Sequence, residues 1–246
     1  MIVISAGLQK SGSGLFFNLT NDILQAAGKE DTRQIRNQYG LEKFVEHYNC
    51  NVGELAWEKL KPLISLHFKG KSFAVKTHNP PTSLSAWLTR LNILRPTFIY
   101  RDPRDVVLSA LAHGKKIVAK GENHTFAVCT SIEKTIPMVR SWLDATALPW
   151  LQSKSVHTAK YEDLIQEPLK EMKRLAEFLD ISMDDSKLAD IYGKYDPRSL
   201  DDFQRDYLHF NKGKTGDFRN TMSPRELEMC NRQFGSHLAA MGYSPE

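Results

Sequence analysis

Cysteine and long hydrophobic runs are both scarce in this chain of 246 residues. Its three cysteines, Cys50, Cys129 and Cys230, lie far apart, and their odd number and wide spacing indicate neither a disulfide framework nor a metal site. This usage predicts a reducing, cytoplasmic compartment. No run approaches the roughly 18 to 20 apolar residues that cross a bilayer, and the first residues lack the basic and apolar regions of a signal peptide. We therefore expect a cytoplasmic protein without a transmembrane segment.

The chain also lacks a dominant charge, low-complexity tracts and repeats at solenoid periods. Its 33 Lys and Arg against 29 Asp and Glu give a formal net charge of +4, an excess too small to indicate a nucleic-acid partner. Such a charge suits a small anionic ligand if the cations converge in one place. The composition, 41% hydrophobic and 25% charged, is that of a globular protein. We predict a single domain over residues 1–246.

The N-terminal stretch has the pattern of a buried strand, a loop of small residues and a helix. A short apolar run ends at Gly7, and apolar residues recur at helical spacing from Leu15 to Ala27. This arrangement places backbone N–H groups and a helix N-terminus around a phosphate, and Lys10 adds a positive charge. Gly7 and Gly12 have the spacing of half a nucleoside-triphosphate loop, but lysine does not follow Gly12 as that motif requires. The loop therefore predicts a phosphate site unlike that of magnesium–ATP; the alternative is an ordinary turn.

A cation and a histidine end the second predicted strand, over residues 71–78. Lys76 and His78 are two positions apart, so in a strand they point to the same face. They also lie at the carboxyl end of the strand, where open parallel sheets bind ligands. The pair suits a general base beside a group that stabilises negative charge. The alternative is a loop histidine whose partners are backbone groups.

The third predicted strand, over residues 97–100, ends at an arginine. Arg101 precedes a helix that Asp102 and Pro103 are suited to start, and Ser109 lies nearly two turns into that helix. An arginine can bind a phosphate through two hydrogen bonds, and a hydroxyl can add one more. The alternative is that Arg101 pairs with a local carboxylate such as Asp105.

Strand and helix patterns alternate along the chain, with a fourth strand predicted over residues 155–161. Strands separated by helices predict an α/β fold whose central parallel sheet is covered on both faces, a three-layer sandwich. We expect a polar surface loop at residues 29–38 and a mobile basic loop at 113–124. A long helical pattern over 126–150 is expected to kink or break at Pro137. A further basic loop is predicted at 210–219, and a capping box at Ser223 to start the last helix.

Five short motifs follow one another along the chain: Lys10-Ser11-Gly12-Ser13, Lys76-Thr77-His78, the run from Tyr100 to Ser109, Tyr161-Glu162-Asp163-Leu164, and Lys212-Gly213 with Gly216-Asp217. In this order they resemble the motifs of the PAPS-dependent sulfotransferases, over nearly the whole length of the chain. Those enzymes move a sulfuryl group from 3′-phosphoadenosine 5′-phosphosulfate (PAPS) to a hydroxyl or amine, and release 3′-phosphoadenosine 5′-phosphate (PAP). The resemblance implies a P-loop nucleotide-binding-like fold and a reaction that needs no metal.

The resemblance also implies a role for each matching residue. It makes His78 the catalytic base, with Lys76 beside it and Lys10 on the bridging oxygen of the donor. The residues that it implies for donor binding are Lys10, Ser11, Gly12, Ser13 and Gly14 at the 5′-phosphosulfate, Arg101 and Ser109 at the 3′-phosphate, Tyr161 near the adenine, and Asn211, Lys212 and Gly213 in a late loop over the 3′-phosphate.

Several positions depart from the family pattern. Gln9 replaces a usual proline, and Gly14 and Leu15 replace a common Thr-Trp pair, which removes a phosphate hydroxyl and an adenine-stacking aromatic ring. Asn211 replaces an arginine, which weakens the late contact with the 3′-phosphate.

The predicted reaction is an in-line displacement at sulfur, with a small molecule, lipid or carbohydrate as acceptor. One alternative is a small-molecule kinase, which would need a lysine directly after Gly12 and a carboxylate that holds magnesium. Another is a non-catalytic nucleotide-binding module, which would tolerate replacement of His78. The sequence identifies neither the acceptor nor the oligomeric state.

Overall fold

The computed structural model describes residues 1–46, 49–195 and 214–245. In this part of the chain, four strands form one parallel sheet in the order β2-β1-β3-β4. The strands are β1 Ile2–Gly7, β2 Phe73–Thr77, β3 Leu94–Tyr100 and β4 His157–Lys160.

Helices flank the sheet and follow the strands in sequence. A 3₁₀ turn (Thr125–Val128) precedes α6, and a π-helical turn (Leu143–Ala147) joins α6 to α7. No helix among the described residues is both long and apolar enough to cross a membrane. The helices are α1 Ser13–Ala26, α2 Thr32–Gln38, α3 Trp57–Phe68, α4 Ser83–Arg90, α5 Pro103–Ala119, α6 Ile132–Trp142, α7 Leu148–Gln152, α8 Tyr161–Gln166, α9 Pro168–Phe178, α10 Asp185–Gly193, α11 Phe218–Thr221 and α12 Pro224–Ala240.

The sheet is covered on both faces, as its sequence pattern predicts. Every residue of β1 and β2 is buried, and so are all residues of β3 except one. Strands that lie between two helix layers need apolar side chains on both faces, which is why they appear in the sequence as continuous apolar runs. The three-layer α/β fold with a central parallel sheet is confirmed.

The strand order fixes where a ligand can bind. From β1 the chain crosses to β2 on one side, and it then returns past β1 to β3 on the other. Neighbouring strands whose connections leave in opposite directions open a crevice at their carboxyl ends. That edge of the sheet carries Gly7, Thr77 and Tyr100, each within three residues of a predicted site residue.

The prediction of a loop at residues 29–38 is wrong, since most of this stretch forms α2. Asp31 caps the helix by accepting the N–H of Arg33 at 2.9 Å. Thr32 and Ile35 are buried, and they anchor the helix to the rest of the protein. Two buried positions in seven residues are too few to produce a visible hydrophobic period.

The prediction of a basic loop at residues 113–124 is wrong in its first half. Helix α5 continues to Ala119, with Gly114 and Ile117 on its buried side. Gly114 allows α5 to pack against the 3₁₀ turn, because a Cβ there would lie 2.4 Å from the carbonyl oxygen of Phe126. The lysines of this stretch therefore lie on the solvent side of a helix.

The helix is expected to kink or break at Pro137, but the structure has the change of helical geometry at a later position. Pro137 lies inside α6, and the change in helical geometry comes at the π-helical turn that follows Trp142. At the end of the chain, the predicted capping box is confirmed, since the Ser223 and Glu226 side chains each accept a backbone N–H of the other residue.

Candidate active site

A cavity of about 480 Å³ lies at the carboxyl edge of the sheet. Lys10 from the loop after β1, His78 from the end of β2 and Arg101 from the end of β3 all line it. Three predicted motifs that are far apart in sequence therefore meet at one place. The predicted site residues that line the cavity are Lys10, Gly12, Ser13, Gly14, Lys76, His78, Arg101, Ser109 and Tyr161.

The structure does not bring the Ser11 side chain to this cavity. Ser11 is fully buried, and its hydroxyl donates to the carbonyl oxygens of Leu8 at 2.5 Å and Ile99 at 3.2 Å. Ser11 therefore ties the loop to the sheet. The other predicted residues, Asn211, Lys212 and Gly213, lie outside the described residues.

Gly12 shapes the loop that leads into α1. Its φ of 77° lies in the left-handed region, and a Cβ there would come within 2.5 Å of the Tyr161 ring. In the described part of the chain no side chain caps α1, so the N–H groups of its first turn keep their donor capacity. The loop and the helix N-terminus together present donors and partial positive charge to the cavity, the arrangement that binds phosphate groups.

Two lysines, Lys10 and Lys76, bring positive charge into the cavity. Burial, with Lys116 and Arg101 nearby, lowers the pKa of Lys10 to about 8. Burial, followed by the charge of Lys10, lowers the pKa of Lys76 to about 8. Within the described residues, neither ammonium forms an ion pair with a carboxylate; that of Lys10 lies 5.7 Å from the centre of the Phe126 ring. Buried cations of this kind favour an anionic ligand.

The imidazole of His78 is oriented by the end of β1. Its Nδ1 lies 2.7 Å from the carbonyl oxygen of Gly7. Because a carbonyl oxygen only accepts, Nδ1 carries the proton in this contact and Nε2 of the neutral ring keeps a lone pair. The backbone is held as well: Thr146 donates to the His78 carbonyl at 3.3 Å, and Trp150 Nε1 donates to that of Asn79 at 2.9 Å. The contact with Gly7 thus leaves Nε2 as the basic nitrogen whenever the ring is neutral.

Arg101 also lines the cavity and has several partners. Its guanidinium lies 4.6 Å from the centre of the Tyr161 ring, and Nη2 donates to the Lys214 carbonyl at 2.6 Å. The alternative ion pair with Asp105 is also present, at 3.3 Å. The Nε of Arg101 is buried and has no acceptor among the described residues. The guanidinium of Arg101 and the side chain of Ser109 both line the cavity.

Sequence reasoning missed the aromatic part of the cavity wall. The rings of His113 and Phe126 pack edge to face, with their centres 4.7 Å apart. The ring of His124 stacks on that of Phe126, with their centres 5.4 Å apart. The missed signal was Gly114, since a glycine inside a helical stretch can mark a close approach of backbones. The cavity-lining residues outside the predicted set include Gln9, Leu15, Asp105, Leu108, Leu111, Ala112, His113, Lys115, His124, Phe126, Lys214, Asp217 and Thr221.

Comparisons with known proteins agree with this geometry. The family model described as "Sulfotransferase domain" matches residues 2–242. A solved structure of retinol dehydratase with androsterone and the inactive cofactor PAP has a TM-score of 0.62 at 16% identity, and the match covers 96% of this chain and 80% of that one. A mouse sulfotransferase complexed with PAP has a TM-score of 0.61 at 16% identity, over 99% and 89% of the two chains. At these identities the structural likeness shows a shared fold. A search of curated proteins gives no match.

Proposed function

Since the chain belongs to the sulfotransferase family, we propose that its cavity transfers a sulfuryl group from PAPS to a hydroxyl or amine, with His78 as the base. The observation that carries the proposal is the meeting of Lys10, His78 and Arg101 in one cavity. Each comes from a different strand end, and together they supply the phosphate donors and the base that the reaction needs.

The cavity fits a nucleotide that carries phosphate groups at two separate positions. The loop, the N-terminus of α1 and the partly buried cation Lys10 suit the 5′-phosphosulfate. The guanidinium of Arg101 and the hydroxyl of Ser109, which line the same cavity, suit the 3′-phosphate. Tyr161 connects the two, because its ring packs beside Gly12 and under Arg101. Among the described residues, no group of three or more His, Cys, Asp or Glu is placed to hold a metal.

In the proposed reaction, the acceptor attacks sulfur while the bond from sulfur to the 5′-phosphate oxygen breaks. Nε2 of His78 takes the proton of the acceptor, because the contact with Gly7 holds the proton of the neutral ring on Nδ1. A positioned base of this kind contributes roughly 10²- to 10⁴-fold in rate.

Negative charge that grows on the departing PAP falls within reach of fixed donors. Lys10, Lys76 and the first-turn N–H groups of α1 face the same cavity. Preorganised donors of this kind are each worth about 2.7–4 kcal/mol when they match the transition state. They need little rearrangement, because the bonds of the Ser11 hydroxyl to the carbonyls of Leu8 and Ile99 already hold the loop against the sheet.

The acceptor is proposed to be a small molecule, lipid or carbohydrate. The wall of Leu111, Phe126 and His113 supports an acceptor with an apolar or planar part. Retinol dehydratase, whose structures are similar to this one, has been solved in complexes with androsterone and with retinol.

Two broader features belong to the same proposal. The three cysteines are buried and form no disulfide bond, which supports a reducing, cytoplasmic compartment. Buried apolar residues from β1 through to α12 pack into one core, which supports a single domain.

Sulfuryl transfer from labelled PAPS to a panel of phenols, aliphatic alcohols, amines and sugars tests the proposal. Transfer to at least one acceptor is expected, with PAP as product and no requirement for magnesium. Magnesium-dependent turnover of ATP without sulfuryl transfer would favour a kinase. A non-catalytic binding module would be favoured if the protein binds PAP, transfers no sulfuryl group to any acceptor, and binds PAP equally well after His78→Ala.

A further inference from the structure

Residues 214–218, here called the late segment, reach the cavity wall through Asp105. The backbone N–H of Gly216 donates to Asp105 Oδ2 at 2.7 Å, and that of Phe218 donates to Oδ1 at 3.1 Å. Lys214 and Asp217 from this segment line the cavity. One carboxylate on α5 therefore fixes the backbone of a segment more than a hundred positions later in the chain.

Asp105 also contacts Arg101, which closes a ring of interactions. Arg101 Nη2 lies 3.3 Å from Asp105 Oδ2 and donates to the carbonyl of Lys214 at 2.6 Å. The side chain of Asp105 is 0% exposed, so its carboxylate is shielded from water. Hydrogen bonds to a buried carboxylate are short and strong compared with neutral ones.

The far end of the late segment has an anchor of its own. The Phe218 ring is buried. The guanidinium of Arg104 lies 4.1 Å from the centre of this ring, and that of Arg219 lies 4.5 Å from it. Arg104 is in turn held by two hydrogen bonds to Asp102, at 2.8 and 3.0 Å. Loss of the Asp105 carboxylate would therefore release residues 214–217 while Phe218 stays in place.

We propose that Asp105 is a positioning residue for the donor. Its carboxylate holds the backbone of residues 214–217 at the cavity wall, and its ion pair with Arg101 keeps the guanidinium of Arg101 at the same wall. Asp105 acts through these groups, and its own charge is balanced by Arg101 and two N–H donors. The inference rests on the proposed function, in which Arg101 binds the 3′-phosphate.

The substitution Asp105→Asn keeps the shape of the side chain and removes its charge. The asparagine amide has only one oxygen, so its NH₂ group would face the backbone N–H of either Gly216 or Phe218, and that hydrogen bond would be lost. We expect the Kd for PAP and the donor KM to rise about tenfold or more, with kcat at saturating donor within about threefold. Asp190→Asn, at an exposed position on α10, is the matched control and should change none of these.

A double-variant comparison separates positioning from general destabilisation. Because part of the effect of Asp105 is proposed to act through Arg101, the variant Arg101→Ala/Asp105→Asn should lose less affinity for PAP than the sum of the two single losses. Fully additive losses would overturn the proposal.

A second variant covers the case in which Asp105→Asn does not fold. Gly216 has φ of 69°, and a Cβ there would lie 2.9 Å from Arg219 Nη1, so Gly216→Ala disturbs the same contact and leaves the carboxylate in place. It should raise the donor KM in the same way. If the wild-type protein does not bind PAP, the proposed function itself fails. If the wild type binds PAP and neither variant weakens binding, only the role of Asp105 is refuted.

Discussion

Residue by residue, the site depends most on the orientation of His78. The carbonyl of Gly7 accepts a hydrogen bond from its Nδ1. Thr146 in the π-helical turn donates to the carbonyl of His78, and Trp150 in α7 donates to that of Asn79. A base held in this way needs little reorganisation before it accepts a proton.

His78→Ala should lower kcat by about 10²- to 10⁴-fold, because it removes the general base that accepts the proton of the acceptor. The Kd for PAP, measured by calorimetry, should stay within about twofold, since the phosphate donors are untouched. Wild-type turnover in this variant would show that another group takes the proton.

Donor binding should weaken as the pH rises above about 8. Burial lowers the pKa values of Lys10 and Lys76 to about 8, from an ordinary 10.5, so both lysines lose their proton near that pH. The neutral amines cannot attract a phosphate, so the Kd for PAP should rise between pH 7 and pH 9.5. Lys76→Arg, which stays charged over this range, should flatten the rise. An unchanged Kd across the range would contradict the assignment of these two cations.

The same two pKa values predict the opposite trend for the stability of the free protein. Between pH 8 and pH 10.5 the unfolded chain binds more protons at these lysines than the folded protein does. Their contribution to the free energy of unfolding therefore increases with pH over that range. Chemical denaturation at pH 7.5 and pH 9.5, with Lys76→Met as control, isolates the contribution of Lys76.

At the level of helices, strands and loops, the sequence predicts best the parts whose pattern is local. The buried strands show as apolar runs, and the capping box at Ser223 shows in four residues. Helix α2 is missed because a cap and two buried contacts stabilise it, and only the tertiary structure reveals these. The contacts from Asp105 to Gly216 and Phe218 are missed for the same reason.

The loop before α1 gives a prediction with an internal control. Gly12 and Gly28 have nearly the same φ, 77° and 74°, but a Cβ at Gly12 meets the Tyr161 ring while nothing lies within 4 Å at Gly28. Each change to alanine should cost about 1–2 kcal/mol for the left-handed backbone. Only Gly12→Ala should also weaken PAP binding, by about tenfold or more. Equal effects of the two variants on stability and on binding would show that the contact between Gly12 and Tyr161 is unimportant.

For the whole molecule, the order of the strands matters more than any single motif. The order β2-β1-β3-β4 brings three strand ends to one crevice, which is why residues 10, 78 and 101 share a cavity. The sequence predicts these strand ends because each carries a polar motif directly after an apolar run. It does not predict the aromatic wall around Phe126, because that wall depends on the packing of α5 against the 3₁₀ turn.

The central claim is that one cavity binds a nucleotide through two phosphate groups, one near Lys10 and the other near Arg101. Calorimetry of PAP and adenosine 5′-phosphate, on the wild type and on Arg101→Ala, tests it most directly. We predict that the wild type binds PAP at least about tenfold more tightly, because a charge-assisted hydrogen bond is worth roughly 1.5–3 kcal/mol, and that Arg101→Ala removes most of this difference. Equal affinity of the wild type for the two nucleotides would contradict the account.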